Sequence, residues 1–357
     1  MDRQLGHTDA IEEHEIQETG SGRIMAIPSF IQGRLALPVV GAPLFIVSGP
    51  ELVIAQCKAG VIGSFPALNA RPAPVLGEWL KRIKGELADW EAKTGRKAAP
   101  FAVNQIAHSS NDRLEHDVDV CAEHEVPITI TSLRAPKFVV DKMHGAGGVV
   151  WHDVINIRHA KKAADEGVDG LILVCSGAGG HAGTLSPFAL VPEVRAWFKG
   201  TILLSGSIAD GRSIFAAQAL GADFAYIGTR FIATAEANAV EGYKTSIIEA
   251  SAEDIVYSNL FTGVHGNYLA PSIAAAGLDP KNLPESDKSK MNFGSGGNTD
   301  KKAWKDIWGA GQGVGQVHSA PSVAELVGEL KAQYDAARVD TLAASAPFAA
   351  PVAAAAE

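Results

Sequence analysis

The sequence predicts an α/β fold of the (β/α)₈ TIM-barrel type, with a smaller lid or insertion after the eighth strand. Three observations carry that prediction. Eight short runs are nearly continuous in apolar residues, as strands buried on both faces should be. Between them lie stretches with helical spacing, and a strand alternating with a helix brings each strand back parallel to the last. After the eighth run the alternation stops. A doubly wound open sheet is the competing architecture, because it shares the same alternation.

Taken in order, residues 1–25 are polar and acidic, lack the basic start and apolar centre of a signal peptide, and read as a flexible tail. The barrel is expected over 26–244. Its strands read "LPVVGAP" (37–43), "VIGSF" (61–65), "PFAVNQI" (100–106), "PITITS" (127–132), "GVVWHDV" (148–154), "GLILVCS" (170–176), "TILLSGS" (201–207) and "DFAYIGT" (223–229). Among the helices, "IRHAKKAADEGVDG" puts Ile157, Ala160, Ala164 and Val168 on one face, with Gly167 able to end it. "ADGRSIFAAQALGAD" has Asp210 at its start and Gly221 at its end. Residues 245–318 include the Gly-, Pro- and charge-rich "GLDPKNLPESDKSKMNFGSGGNTDKK" and are expected to form the lid. A helix from Pro321 to about Ala337, within 319–340, should pack on the barrel. The Ala/Pro-rich end, 341–357, reads as a mobile tail.

Composition narrows the partners. With 46% hydrophobic and 20% charged residues the chain is too apolar for disorder. A net charge of −9 without a Lys/Arg run argues against nucleic acid. The most apolar early segment, "LALPVVGAPLFIV", holds two prolines and falls short of the ~20 residues that span a bilayer, so no membrane span is expected. Cys57, Cys121 and Cys175 are far apart, which suits a reducing cytoplasm and gives neither a disulfide framework nor a zinc site. "HEIQE" is not a zinc motif, and no metal is expected. A homodimer is compatible with the sequence.

Barrel chemistry sits at the C-terminal ends of the strands. Those positions carry Ala42 and Pro43, Phe65 to Asn69, Asn104, Thr131 and Ser132, His152, Ser176 to His181, Gly206 with Ser207, and Gly228 with Thr229. "LSGSIADG" and "YIGTRF" look like a phosphate cradle, in which glycine lets backbone N–H groups approach an anion and Ser207 and Thr229 add hydroxyls. "SGAGGHAG" leaves room for a flat group while His181 projects toward it. An imidazole with an ordinary pKa near 6.5 can take an acidic C–H proton or hydrogen-bond an anion. The match of "GAGGHA" to a dinucleotide fingerprint is accidental, because no helix opens directly after it. Lys137 follows the fourth strand end, where a Schiff-base role is disfavoured. His152 either lies beside the ligand or merely finishes the fifth strand, and Asp153, one residue on, is expected to face the other way. A sugar-phosphate isomerase or synthase would place more acids or a lysine at these ends.

The segments "PVVGAPLF", "FAVNQI", "ITSLRAP", "GAGGHAG", "LLSGSIADG", "ALGADFAYIGTRFIAT" and "GAGQGVG" together resemble the nitronate monooxygenase family, formerly 2-nitropropane dioxygenases, from about Pro38 to Leu330. The resemblance implies an FMN-dependent oxidoreductase that converts alkyl nitronates and O₂ to a carbonyl compound and nitrite. It implies that Ala42, Pro43, Leu44 and Asn104 border the isoalloxazine and that Gly180, Gly206, Gly228 and Thr229 hold ribityl and phosphate. His181 matches the family's catalytic histidine. Thr131, His152, Ser176, Gly179 and Ser207 join the expected cofactor contacts. Two departures stand out: Gly177 occupies the place of a Glu or Gln, and the lid has only Tyr257 and Tyr268 as tyrosines. The competing activities are an NAD(P)H-dependent flavin reductase of quinones or enoyl thioesters, and a flavin- or sugar-phosphate-binding protein without turnover.

Overall fold

In the computed structural model, which describes residues 26–134, 137–286 and 307–348, each of the eight apolar runs forms a strand. These are β1 (Val39–Gly41), β2 (Gly63–Pro66), β3 (Phe101–Ile106), β4 (Ile128–Ser132), β5 (Val149–Val154), β6 (Gly170–Val174), then, after the short β7 (Gly180–His181), β8 (Thr201–Ser205) and β9 (Phe224–Ile227). All pairs are parallel in the order β1-β9-β8-β6-β5-β4-β3-β2. A parallel bridge from Val40 to Ile62 joins the two ends of that order, so the sheet closes into a barrel rather than remaining open.

Closure explains the continuous apolar runs, since both faces of every strand are covered. Residues of one parity, including Ile130, Trp151, Ile172, Leu203 and Phe224, fill the bore. Those of the other parity, including Val103, Val150, Leu171 and Leu204, pack under the helices. Trp151 is fully buried against Phe224, ring centroids 5.9 Å apart, and each such side chain contributes roughly 1.5–3 kcal/mol. The base of the bore is stopped by Ile31, with Ile27 and Phe30 packed on it.

Helix boundaries follow the expected signals. Asn156 caps Ile157–Asp165 by accepting from His159 N, and Asp210 caps Gly211–Leu220 by accepting from Ser213 N at 2.7 Å. Gly167 and Gly221 follow with φ of 89° and 120°, beyond the reach of most side chains. The segment after the barrel contributes β10 (Ile255–Ser258) and β11 (Gly266–Leu269), antiparallel to each other. β11 also pairs with β7, which therefore belongs to the lid sheet although it arises in a barrel loop. The expected tail 1–25, most of the Gly-rich lid stretch at 287–306, and 349–357 lie outside the described residues.

The C-terminal helix, Val323–Ser345, runs past the expected end near Ala337 because its alanines sustain helix into the Ala-rich region. Its buried face ends at Ala337. It docks on Gly211–Leu220, where Gln333 Oε1 accepts from Gly211 N at 2.9 Å. A Cβ at Gly211 would stand 2.2 Å from Tyr334 N and 2.4 Å from Leu330 O, backbone atoms that move only if the helix does. Gly211→Ala should therefore lower stability by about 1–3 kcal/mol, read as an earlier urea midpoint. An unchanged midpoint would show that this contact is dispensable.

Candidate active site

Strand alternation decides what reaches the mouth of the barrel. On β3 and β4 the bore residues are Ala102, Ile128 and Ile130, so Asn104 and Ser132 continue the inward row. On β5 the bore residue is Trp151, so Asp153 continues it. Their side chains meet: Asn104 Nδ2 donates to Ser132 Oγ at 2.8 Å, and Ser132 Oγ donates to Asp153 Oδ2 at 2.5 Å. Burial lifts the Asp153 carboxyl to about 6, against the opposing pull of the Ser132 hydrogen bond. Tyr226 of β9 is pushed well above the usual phenol range, first by burial and then by the Asp153 charge.

The same parity corrects two expectations. Thr131 and His152 point to the outer layer, where Thr131 Oγ1 and His152 Nδ1 lie 2.8 Å apart, both buried. They finish their strands under the helices and do not line the mouth. Asp153, expected to face away, is the one that faces in.

The loop after β6 is held by backbone contacts. Gly177, at φ 83°, has no room for a Cβ, which would come 2.1 Å from Ser207 Oγ. Gly179 likewise backs onto Gly311 N, 2.8 Å from an added Cβ. The late glycine segment lies on this loop through Gln312 N donating to Gly177 O at 2.9 Å, and reaches the end of β9 through Gly311 N donating to Thr229 Oγ1 at 2.9 Å. Ser176, Gly206 and Ser207 gather on one side, the carbonyl of Ser176 lying 2.7 Å from a Cβ built on Gly206. On the other side a Cβ on Gly228 would face Leu44 and Ala42 at 3.3 and 3.6 Å, with Pro43 on the connecting turn. These contacts join Ser176, Gly206 and Ser207 on one side and Ala42, Leu44 and Gly228 on the other, while Asn104 meets Ser132 at the bore and Phe65 packs outward against Trp79.

His181 sits on β7, opposite Gly266. Its Nε2 lies 3.0 Å from Thr262 Oγ1, and that hydroxyl donates to Val264 O at 2.8 Å. With the hydroxyl proton so committed, Oγ1 can accept from the ring in the tautomer that carries its proton on Nε2. Burial pulls His181 down to about 4, so the imidazole is neutral at pH 7 and able to take a proton. Of these residues the sequence reading places Ser132 among the strand ends, but it does not mark Thr262 or Asp153 as site residues. Inward parity extended from Trp151 points to Asp153, whereas no local signal announces Thr262, 81 residues from its partner.

His152 is also pulled down, from 6.5 to about 4, mainly by burial. Between these values the unfolded chain binds more protons than the folded one, so stability falls as pH drops through 6.5 toward 4. His152→Gln should flatten that part of the Tm profile without affecting the profile above pH 7. An equally steep acid decline in the variant would show that His152 does not contribute.

Strand tips that carry Asn104, Ser132 and Asp153, and a half-buried histidine on the adjoining lid sheet, give the mouth of the barrel polar and titratable groups. The profile of the family described as nitronate monooxygenase matches residues 68–333. The chain belongs to that family and is a flavin-dependent oxidoreductase. It is 26% identical to a nitronate monooxygenase of Paraburkholderia phytofirmans over 82% of this chain and 91% of that one. It is 27% identical to the (3aS,4S,5R,7aS)-5-hydroxy-7a-methyl-1-oxo-octahydro-1H-indene-4-carboxyl-CoA dehydrogenase of Rhodococcus jostii, over 64% of this chain and only 61% of the relative. In fold it resembles the nitroalkane oxidase of Streptomyces ansochromogenes, with a TM-score of 0.71 at 22% identity, covering 86% of this chain and 98% of that one.

Proposed function

We propose that the mouth binds FMN and that the enzyme oxidises alkyl nitronates, and nitroalkanes after deprotonation, with O₂ to a carbonyl compound and nitrite. The observation that carries this reading is His181, a half-buried imidazole whose lowered pKa keeps it neutral at pH 7 and whose Nε2 is anchored by Thr262. The residues present fit a flavin. Rim positions 206 and 228 lack side chains, the tip of the bore is polar at Asn104, Ser132 and Asp153, and the buried Oδ1 of Asp153 has no hydrogen-bond partner among the described residues. Gly206, Ser207, Gly228 and Thr229 would hold phosphate and ribityl, while Ala42, Pro43, Leu44 and Asn104 would border the ring, with Ser176, Gly179 and Gly180 beside them. Bound flavin supplies the electron transfer. His181 takes the α-proton of a neutral nitroalkane and orients the anion when the nitronate is supplied.

Buried thiols at Cys57, Cys121 and Cys175, each pushed up to about 12 by burial, favour a reducing cytoplasm as the setting. Among the described residues no helix is long and apolar enough to cross a membrane.

A second reading, NAD(P)H-dependent reduction of quinones or enoyl thioesters, is favoured by a different observation. Leu133, Ile155, Leu185 and Phe188, all following β4, β5 or β6, are exposed, Phe188 by 74%, and they offer apolar surface to a bulky substrate. Anaerobic mixing of the FMN-loaded chain with propionate 3-nitronate or with NADH separates the two. Rapid bleaching by nitronate is expected, and rapid bleaching by NADH alone would overturn the first reading. His181→Asn should lower kcat/KM for a neutral nitroalkane by ~10²- to 10⁴-fold and affect a preformed nitronate less. Equal losses on both substrates would remove the base role from His181.

A further inference from the structure

The proposed reaction leaves one carboxyl unused. The hydrogen-bonded row Asn104–Ser132–Asp153 ends at Asp153 Oδ1, a buried oxygen with no partner among the described residues. A buried polar atom left this way is destabilising, unless something entering the bore meets it. Because Oδ2 already accepts from Ser132, Oδ1 is the atom that carries the proton when the carboxyl is neutral. The neighbouring strands supply Ser132 from β4, Asn104 from β3 and Ile172 from β6, none of them titratable. Tyr226 of β9 is the titratable group that senses the carboxylate, and burial keeps it neutral.

We propose that Asp153 is a positioning residue of the cofactor site: protonated on Oδ1, it donates to a polar atom of the flavin ring held in the mouth, and on ionising it sets a negative charge against that ring. This rests on the flavoenzyme reading above. Burial alone brings the carboxyl to about 6, against the opposing pull of the Ser132 hydrogen bond. Both protonation states are then reachable near neutrality. His181, pulled down to about 4, titrates below this range.

The test follows the absorption spectrum of bound oxidised FMN as pH is raised from about 5 to about 8. The wild-type spectrum is expected to change with a midpoint at or above about 6. Asp153→Asn, an amide of nearly the same shape, should bind FMN within about threefold of wild type and lose the transition. Ser132→Ala should keep it and move it to higher pH, because it removes the hydrogen bond that favours the carboxylate. A transition that survives in Asp153→Asn, a midpoint unmoved in Ser132→Ala, or a flat wild-type titration with FMN bound overturns this proposal alone. A wild-type chain that binds no FMN overturns it together with the flavoenzyme reading.

Discussion

Two residues of backbone pairing hold this site together. Gly180 and His181 pair with Asn267 and Gly266, which converts the loop after β6 into an edge strand of the lid sheet. A run of glycines loses more conformational freedom on ordering than any other sequence would, so the loop needs such an external template. Asn267 adds to it by donating from Nδ2 to Ala178 O at 2.6 Å, and Ala310 N donates to Asn267 O at 3.3 Å. One strand thereby fixes the height of His181, the seat of the lid and the approach of the late glycine segment.

Desolvation then does the electrostatic work, in opposite directions for opposite charges. The same loss of water lowers the basic His181 and raises the acidic Asp153, which brings both toward their neutral forms. Hydrogen bonds modulate this without reversing it. Ser132 pulls Asp153 partly back, while the contact between His181 and Thr262 selects a tautomer. In water both groups would titrate near their ordinary values, so their neutral forms at these positions depend on what shields them from solvent.

Much of this was legible in the chain. All eight strands and their order of alternation follow from apolar runs broken by helical stretches, and the caps at Asn156 and Asp210 with the stops at Gly167 and Gly221 follow from local backbone chemistry. The gathering of Ala42, Leu44, Ser176, Gly206, Ser207 and Gly228 follows from barrel geometry, which places all strand tips on one rim. Parity was harder to read, because a strand buried on both faces has no polar side to mark its phase. In "VVWHDV" histidine and aspartate are equally polar and adjacent, and only the packing of Trp151 against Phe224 in the bore turns Asp153 inward and His152 outward. Contacts across long separations, such as Thr262 with His181, depend on the lid's docking and have no local signature.

The glycine at 177, which stands where the resemblance implies a Glu or Gln, is explained by what packs against it. A side chain there would collide with Ser207 Oγ, and its Cβ would lie 3.0 Å from Gln312 Oε1. An amide therefore stands beside position 177 after all, delivered from the segment that follows the lid rather than from the loop itself. Gln312 N also bonds to Gly177 O, so the two positions are fixed to each other by backbone as well as by side-chain contact. The polar group beside position 177 thus comes from the segment after the lid and not from the loop itself, so the loop and that segment share this part of the rim.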